Sequence, residues 1–444
     1  MDQVTNSSAV TDVRATAYRP RVVIVGGGFA GVAAVRVLKH CDADVVLIDR
    51  RNHHIFQPLL YQVATAVLAP SEVAAPLRQL ARQHRNLSVL MAEVTDIDLA
   101  TKRVTASPPG LPPRTLSFDY LIVATGAHPT YFGHDEFAAH APSLKTLTDA
   151  EAIRTRILSA YELAEQTDDP EERSRAMTFV LVGAGPTGVE LAASLALMAR
   201  ITLRSNFRRI SPSDSRILLL EGTKRVLASF DESLSDKVKH HLQQLGIEVR
   251  TGVMVEQVDE HGVVVGGERI ASKTVLWTAG IQASAIVKQL GVSTDRAGRA
   301  SVGPQLSIAN HPEVFVIGDA AAATQDGHPL PGVARVAIQE GRFVGRVIRA
   351  RIRGRPIVKP FRYRDRGNMA VVGKNFAVLQ RGRLRLSGIL TWLVWALIHV
   401  MFLPQLQNRL RVQTQWLWSY LTGQRSSRLI PEPNLEQHLA SDRG

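Results

Sequence analysis

The sequence has 444 residues, 45% of them hydrophobic, which is enough for two or three domains with ordinary buried cores. Its single cysteine, Cys41, excludes a disulfide framework within one chain and an internal redox-active pair of thiols. The net charge of +13 belongs to the C-terminal quarter, because residues 341–444 carry 19 Lys and Arg against 4 Asp and Glu, whereas the preceding residues carry 34 against 36. Such a basic segment is expected to face an anionic polymer or an anionic membrane surface.

The N-terminal residues 1–19 are polar and contain no apolar stretch of the kind that a secretory signal requires. We expect them to form a disordered tail. Without a secretory signal, the chain is expected to face the cytoplasm.

The first strong motif lies just after this tail. The β-branched residues 22–25 predict a buried strand that runs directly into Gly26-x-Gly28-x-x-Gly31 and an alanine-rich helix. This order is typical of a dinucleotide-binding fingerprint, in which the glycines form a tight turn, admit a pyrophosphate and let the helix pack closely on the strand. Asp49 lies 23 residues after Gly26, at the end of the next apolar stretch, where a carboxylate can accept hydrogen bonds from a ribose. These features favour a bound dinucleotide over a glycine-rich turn without a ligand.

The same pattern recurs later in the chain, where a second predicted strand runs into Gly183-x-Gly185-x-x-Gly188 and a helix. The corresponding acid is Glu221, 38 residues after Gly183, and an insertion at about residues 204–214 accounts for this longer separation. A duplicated fingerprint is far more specific than a single copy. The sequence therefore predicts two similar domains that bind two dinucleotides.

A further candidate contact is Asp319, which follows a predicted strand at residues 314–317 and precedes a predicted helix at residues 333–351. Ligands of open α/β sheets bind outside the carboxyl ends of the strands. Asp319 alone is typical of an ordinary helix cap, but the two fingerprints favour contact with a cofactor. Residues 355–385 alternate basic and apolar positions and predict short strands.

The C-terminal region combines an apolar segment with aromatic and basic residues. Residues 386–403 are mostly apolar over 18 positions, which is the lower limit for crossing a membrane. The aromatic and basic residues that follow are Trp416, Trp418, Tyr420, Arg409, Arg411, Arg425 and Arg428. We expect two helices that lie in the headgroup plane of a bilayer, with tryptophan as the anchor and arginine on phosphate. The alternatives are a helix packed on the core or in a dimer, and a single spanning helix.

Five segments resemble the two-dinucleotide-binding-domain flavoproteins and, within them, the type II (alternative) NADH:quinone oxidoreductases. These segments are residues 25–31, 56–65, 182–190, 317–320 and 332–339. The second of them and the tail rich in tryptophan and arginine are the most specific, and the resemblance extends over about residues 21–430. It implies a non-covalent FAD in the first domain and NADH in the second.

The resemblance also assigns residues to each cofactor. FAD would be held by Gly26, Gly28, Phe29, Ala30, Gly31, Asp49, Arg50, Gln57, Leu60, Val94, Ala124, Thr125, Gly126, Gly318 and Asp319. NADH would be held by Gly183, Gly185, Thr187, Gly188, Glu221, Ala279 and Gly280. The carboxylate of Glu221 should disfavour NADPH, because it repels a 2′-phosphate.

Four residues are candidates for catalysis by the same resemblance. Glu190 would lie near the flavin ring and the nicotinamide and handle protons or quinone, whereas its alternative role is a favourable acid at a helix N-terminus. Gln339 matches a glutamine near the quinone head group. Arg335 stands four positions earlier, where the family usually has another glutamine, and places a charge on the same helix face. Lys374 either matches a lysine near the site or is a solvated turn lysine.

Together these features predict an α/β protein with two Rossmann-like dinucleotide-binding domains, one for FAD and one for NADH, plus a C-terminal amphipathic helical membrane anchor. The FAD-binding domain is expected at residues 20–150 and 291–385, the NADH-binding domain at residues 151–290, and the membrane-associating helices at residues 386–444. The histidines form no metal-binding constellation, so no metal is expected.

The predicted function is the transfer of electrons from NADH through FAD to a membrane quinone, without proton pumping. We expect a homodimer and a peripheral location on the cytoplasmic face of the inner membrane, with residues 386–430 on the lipid surface. One alternative is a soluble FAD-dependent NAD(P)H reductase that serves a ferredoxin-like protein and needs no apolar tail. Another is a nucleic-acid-binding flavoprotein, which the apolar segment argues against.

Overall fold

Two parallel β-sheets frame the protein, and the chain passes between them twice. A computed structural model describes residues 18–355 and 359–431. Most of the predicted N-terminal tail and the C-terminal end from residue 432 therefore lie outside the described residues. At the start of the described chain, Tyr18 donates a hydrogen bond to Asp119, and Arg19 pairs with Asp42 at 2.8 Å.

The first segment of the chain alternates strands with helices. Its strands are β1 (Arg21–Val25), β2 (Asp44–Asp49), β3 (His53–Ile55), β4 (Ala74–Pro76), β5 (Leu87–Met91), β6 (Glu93–Asp98), β7 (Arg103–Ser107), β8 (Arg114–Ser117), β9 (Tyr120–Val123) and β10 (Ala127–Pro129). Its helices are α1 (Phe29–Leu38), α2 (Leu60–Ala64), α3 (Pro70–Val73) and α4 (Arg78–Ala81).

The second segment repeats this alternation. Its helices are α5 (Leu147–Gln166), α6 (Pro170–Ala176), α7 (Pro186–Leu197) and α8 (Glu232–Gln244). Its strands are β11 (Thr178–Val182), β12 (Arg216–Glu221), β13 (Ile247–Thr251), β14 (Val255–Asp259), β15 (Gly262–Val265), β16 (Glu268–Ala271) and β17 (Thr274–Trp277). α5 begins at a capping box, in which the Thr146 hydroxyl accepts from the Asp149 N–H and the Asp149 carboxylate accepts from the Thr146 N–H.

The third segment returns to the first sheet and then leaves it. Its strands are β18 (Ile281–Ala283), β19 (Ser307–Ile308), β20 (His311–Val316), β21 (Thr324–Gln325), β22 (His328–Pro329), β23 (Asn368–Val371), β24 (Ala377–Arg381) and β25 (Leu384–Gly388). Its helices are α9 (Ala334–Ile352), α10 (Ile389–Phe402) and α11 (Leu406–Thr422).

The larger sheet has the strand order β19-β20-β9-β1-β2-β5, and all of its neighbouring pairs except β19–β20 are parallel. The smaller sheet has the parallel order β13-β12-β11-β17. β10 pairs antiparallel with β18 where the chain crosses between the sheets. This topology confirms the predicted α/β class, and the carboxyl ends of β1 and β11 carry the two fingerprints at equivalent places.

The two C-terminal helices pack on the body of the protein through one side only. Trp395 of α10 and Val412 of α11 join an apolar core that also includes residues of α2, α5 and α7. The opposite side exposes leucines whose relative accessibility is 52–75%, and we name it the leucine face: Leu390, Leu393, Leu397, Leu406, Leu410, Leu417 and Leu421. In the part of the chain that the structure describes, every helix is too short or too polar to cross a bilayer.

Candidate active site

The first fingerprint forms a narrow turn between β1 and α1. A Cβ atom on Gly31 would lie 1.9 Å from the backbone oxygen of Gly26, so no larger residue fits there. A Cβ atom on Gly28 would instead meet no protein atom within 4 Å, because this side of the turn is open. Gly28 caps α1 without a side chain, so the first N–H groups of the helix face this open side. That arrangement suits a pyrophosphate group.

Asp49 closes the same turn from the end of β2. Its Oδ2 accepts a hydrogen bond from the Gly27 N–H at 2.6 Å, and its Oδ1 accepts one from the Arg51 N–H at 2.8 Å. A carboxylate oxygen can accept two hydrogen bonds, so both oxygens retain capacity for ribose hydroxyls. Arg50, the residue between, is exposed.

The second fingerprint has the same geometry. A Cβ atom on Gly188 would lie 1.9 Å from the backbone oxygen of Gly183, and the space beside Gly185 is open. Glu221 takes the place of Asp49: its Oε2 accepts from the Ala184 N–H at 2.7 Å and its Oε1 from the Thr223 N–H at 2.8 Å. The longer separation in sequence therefore leaves the position of the acid unchanged.

The extra residues between this fingerprint and Glu221 lie outside the sheet. The π-helical segment Met198–Thr202 extends α7, and a loop with a short 3₁₀ turn at Pro212–Asp214 leads into β12. The expected insertion at about residues 204–214 is thus a detour between the helix and the strand.

Small residues after β9 and β17 face the two turns in matching ways. A Cβ on Gly26 would lie 2.3 Å from the Ala124 oxygen, and a Cβ on Gly183 would lie 2.8 Å from the Ala279 nitrogen. Thr125 follows Ala124, and its buried Oγ1 has no hydrogen-bond partner among the described residues. We name the turn at Gly26–Gly31 with Asp49 the first cradle, and the turn at Gly183–Gly188 with Glu221 the second cradle. A buried hydroxyl without a partner beside the first cradle is an environment that a bound cofactor would complete.

The other residues assigned to FAD lie at varying distances from this turn. Phe29 packs edge-on against His54 and Phe56, with ring centroids 5.0 Å and 5.9 Å away. Ala30 meets Gly318, since a Cβ there would lie 3.5 Å from the Ala30 Cβ. The remaining ones are Gln57 in a half-buried 3₁₀ turn, Leu60 in the core, Val94 on β6, Gly126 after Thr125, and Asp319, whose Oδ2 lies 3.8 Å from Lys145 Nζ.

Two residues assigned to NADH complete the second site. Thr187 is exposed in the first turn of α7, next to the open side of Gly185. Gly280 has a positive φ of 72°, and a Cβ there would lie 2.5 Å from the Phe132 ring. Glycine is therefore required at this position for both conformational and steric reasons.

Glu190 lies in the second turn of α7. Its residue as a whole is half-buried, but protein atoms surround its carboxyl group closely. Its Oε1 accepts a hydrogen bond from the Val371 N–H of β23 at 3.3 Å. Burial raises the pKa of Glu190 to about 8, against the weaker opposite effect of this hydrogen bond. The side chain is therefore mainly a neutral acid at neutral pH, which suits proton transfer.

A buried polar group beside Glu190 was not identified from the sequence. Tyr61 and Gln62 belong to α2, and the Gln62 Nε2 donates to the Tyr61 hydroxyl at 2.9 Å. The Trp416 indole N–H of α11 donates to the Gln62 Oε1 at 2.7 Å. Burial, and secondarily the charge of Glu190, raise the pKa of Tyr61. The sequence feature that could have revealed this buried polar group is the presence of polar residues within the apolar segment 56–65.

Trp416 and Arg425 correct the expectation that the aromatic and basic residues of the tail face lipid. Arg425 is only 6% exposed, and its guanidinium donates to the backbone oxygens of Thr65 at 2.7 Å and Ser194 at 3.0 Å. Burial lowers the pKa of Arg425 to about 9. Because Trp416 also points inward, these two residues attach the C-terminal segment to α2 and α7.

The three residues expected on the quinone side each have internal partners. The Gln339 amide donates to the Arg364 oxygen at 3.1 Å and accepts from the Arg364 N–H at 3.0 Å. The Arg335 guanidinium carbon lies 5.1 Å from the centre of the Phe402 ring of α10. Lys374 Nζ lies 4.0 Å from the centre of the Tyr420 ring and donates to its backbone oxygen at 3.0 Å. Arg335 and Lys374 thus contact the C-terminal helices.

Comparison with known proteins identifies the family. Residues 20–341 match the pyridine nucleotide-disulphide oxidoreductase family. The chain is 42% identical over 425 residues to the type II NADH:quinone oxidoreductase Ndh of Mycobacterium tuberculosis, covering 93% of this chain and 91% of that protein. It is 40% identical to NdhA of the same organism, covering 93% of this chain and 89% of that protein.

A solved structure has the same fold. The structure of NDH2 from Plasmodium falciparum in complex with NADH superposes with a TM-score of 0.84 at 19% sequence identity, covering 92% of this chain and 99% of that chain. At this level of identity the likeness concerns the fold. Taken with the sequence relatives and the paired cradles, it confirms the expected family: the chain belongs to the pyridine nucleotide-disulphide oxidoreductases and, among them, to the type II NADH:quinone oxidoreductases.

Proposed function

We propose that this protein oxidises NADH and reduces a membrane quinone to quinol through a bound FAD, without pumping protons. The observation that carries the proposal is the matched pair of cradles, in which Asp49 and Glu221 make the same two backbone hydrogen bonds. The relatives named NADH:quinone oxidoreductase support the choice of donor and acceptor. FAD supplies the redox chemistry, since it takes electrons from NADH and passes them to the quinone.

The residues of the first cradle fit FAD. The open side of Gly28 and the free N–H groups of α1 would receive the pyrophosphate, and Asp49 would bind the ribose. The unpaired Oγ1 of Thr125 would gain a partner, and Asp319 would lie against the ribitol chain.

The residues of the second cradle fit NADH. The open side of Gly185 would receive its pyrophosphate, and Glu221 would bind the adenosine ribose. The Glu221 carboxylate would repel a 2′-phosphate, so we propose that NADH is used in preference to NADPH.

Glu190 is proposed to hold and transfer a proton needed for quinol formation. Its Oε1 is held by the Val371 N–H, so the proton would lie on Oε2. With a pKa of about 8 the group can release and regain a proton close to neutral pH. Gln339, Arg335 and Lys374 are proposed to line the quinone side, where Arg335 would replace an amide by a charge.

The leucine face is proposed to rest on the bilayer. Its exposed leucines are an unfavourable surface in water and would be buried in the headgroup region, while α10 and α11 lie in the plane of the membrane. We propose a peripheral homodimer on the cytoplasmic face of the inner membrane. The division into an FAD domain at residues 20–150 and 291–385 and an NADH domain at residues 151–290 is part of the same proposal.

The experiment is a spectroscopic separation of the two half-reactions. Purified protein should show a flavin spectrum, which NADH bleaches under anaerobic conditions and a soluble quinone restores. A flavin that NADH reduces but that only a ferredoxin reoxidises would contradict the quinone assignment. A colourless protein that takes up no FAD would contradict the whole proposal.

A first prediction concerns the quinone side. Arg335→Gln should change the KM for quinone several-fold, roughly 1 kcal/mol, because it removes a charge beside the acceptor. The rate at which NADH reduces the flavin should stay unchanged, which stopped-flow absorbance measures. Arg296→Gln, at an exposed loop position, is the matched control. Equal effects on both half-reactions would count against the assigned site.

A further inference from the structure

A line of arginines occupies the outer surface of α9 and the adjoining part of α1. We name it the arginine stripe and define it as Arg36, Arg342, Arg346, Arg349 and Arg353. Three of them, Arg342, Arg346 and Arg349, are spaced four and three apart on one side of α9, and Arg353 caps the end of this helix four positions later. All five are exposed except Arg349, which is half-buried.

The position of the stripe follows from the packing of the two helices. A Cβ atom on Gly341 would lie 2.1 Å from the Ala30 oxygen, and one on Gly345 would lie 2.9 Å from the Val37 Cβ. α9 is therefore in close contact with α1 through its glycines. The arginines lie on the outer side of this contact, and Arg36 of α1 extends the α9 row.

In the part of the chain that the structure describes, the arginines of the stripe form no ion pairs. Among the described residues, none of its five guanidinium groups has a carboxylate oxygen within 4.0 Å. Glu340 is the one acidic residue in the sequences of α1 and α9, and it is buried and accepts a hydrogen bond from the Gly318 N–H at 2.5 Å. Arg351 lies on another side of α9 and is not part of the stripe, and its guanidinium donates to the backbone oxygen of Pro312 at 2.6 Å.

The arginines also repel one another. Burial and then the charges of Arg342 and Arg409 lower the pKa of Arg36, and burial followed by Arg342 and Arg349 lowers the pKa of Arg346. Such a cluster is electrostatically unfavourable in the free protein. An anionic partner would relieve this repulsion.

The stripe adjoins the leucine face. Arg409 of α11 precedes the exposed Leu410, is half-buried with its guanidinium bonded to the Leu403 oxygen at 3.3 Å, and its charge acts on Arg36. Arg335 in the first turn of α9 stands seven positions before Arg342 and so lies on the same side of the helix. Its guanidinium carbon lies 5.1 Å from the ring centre of Phe402, the last residue of α10. The basic surface of α1 and α9 is therefore continuous with the apolar surface of the C-terminal helices.

From this placement we infer that the arginine stripe binds the phosphate groups of anionic phospholipids when the leucine face rests on a bilayer. The inference rests on the proposed membrane function and adds a lipid preference, carried by the dinucleotide-binding body rather than by the C-terminal helices. An apolar surface beside unpaired arginines complements acyl chains beside phosphate. A nucleic acid would use the arginines but would leave the adjoining leucines in water.

The test is co-flotation of the full-length FAD-loaded protein with two kinds of vesicle, phosphatidylcholine alone and phosphatidylcholine mixed with phosphatidylglycerol. The variant is Arg342→Gln/Arg346→Gln, and the matched control is Arg114→Gln/Arg296→Gln, which removes the same charge from exposed positions away from the stripe. Flavin absorbance and turnover with a soluble quinone check that each variant is folded.

We expect the wild-type protein and the control to bind the anionic vesicles about tenfold or more tightly than the neutral ones. The stripe variant should lose most of this difference and keep its weaker binding to neutral vesicles. Equal loss in the stripe variant and the control, or no loss in either, would overturn the inference.

Two further outcomes separate this inference from the proposed function. If the wild-type protein binds both vesicle types equally and Leu393→Gln/Leu397→Gln releases it from both, membrane docking stands and the lipid preference is refuted. If the wild-type protein binds neither vesicle, both proposals fail. Stripe-dependent binding of duplex DNA without binding of vesicles would also overturn the inference.

Discussion

The two dinucleotide cradles share a backbone plan but use the start of their helices differently. Two positions after the last fingerprint glycine, α1 has Ala33 and α7 has Glu190. Ala33 is 5% exposed and lies beneath α9, where a Cβ on Gly341 would come within 3.1 Å of its Cβ. Glu190 instead meets the Val371 N–H of β23. The same helical position thus serves core packing in one domain and holds a half-buried acid in the other.

The largest expected effect comes from breaking either cradle. Gly31→Ala should weaken FAD binding about 1000-fold, roughly 4 kcal/mol, because its Cβ would lie 1.9 Å from a backbone oxygen. Gly188→Ala should leave the protein yellow but raise the Kd for NADH by a similar factor, since its clash is in the second cradle. Flavin absorbance after gel filtration and NADH titration measure the two effects.

The control for this pair is Gly303→Ala, whose Cβ would lie 3.5 Å from the Ser307 oxygen and should cause neither effect. If Gly188→Ala lost FAD as readily as Gly31→Ala, the assignment of one nucleotide to each cradle would be wrong.

A smaller effect is expected from the acid that distinguishes the cradles. Glu190→Gln should slow quinone reduction roughly 100-fold with FAD still bound, as expected on removal of a general acid. The wild-type rate should fall as pH rises through about 8, because the acid form is then lost, whereas the variant should show no such fall. Stopped-flow reoxidation of the reduced flavin across this pH range measures both.

Glu340→Gln is the matched control, because Glu340 is also a buried carboxyl with its pKa raised to about 8. It should leave the pH dependence of quinone reduction intact. A Glu190→Gln enzyme with unchanged kinetics would make Glu190 a structural residue of the helix.

The smallest effect concerns stability at Glu340 itself. Burial, and secondarily Asp319, raise its folded pKa from 4.5 to about 8, so the unfolded chain ionises first and wild-type stability falls as pH rises between these values. The glutamine of Glu340→Gln cannot ionise, so the stability of this variant should fall less over the same pH range. Its Tm relative to wild type should therefore rise by about 2 °C between the two ends of this range. Thermal unfolding by circular dichroism measures this difference.

The exposed Glu162→Gln on α5 should instead follow the wild-type pH dependence. Parallel Tm curves for wild type and Glu340→Gln would show that Glu340 titrates normally in the folded protein.

The local plan of both cradles was predictable from sequence. Glycine spacing and hydrophobic strands determine the turn after β1 and the turn after β11, because a Cβ atom in those places would overlap the backbone. The equivalence of Asp49 and Glu221 was also predicted, including the insertion that separates Glu221 from its fingerprint. Membrane docking, the homodimer and the roles of the site residues remain predictions.

Contacts between distant segments were less predictable. Trp416 and Arg425 belong to a tail whose composition is typical of a lipid-facing segment, yet they bond Gln62, Thr65 and Ser194. The Gln339 amide was expected at a quinone and is bonded to the Arg364 backbone. Neither composition nor helical spacing reports which remote backbone group a side chain will reach.

By itself the sequence determined the two nucleotide cradles, the α/β class and the family, because these follow from steric and hydrophobic patterns within short stretches of chain. Only the tertiary structure decided which tail residues turn inward, which acid is buried enough to have a pKa of about 8, and how arginines of α1 and α9 join one surface. Burial and electrostatic repulsion depend on distances between segments far apart in sequence, and folding alone sets those distances.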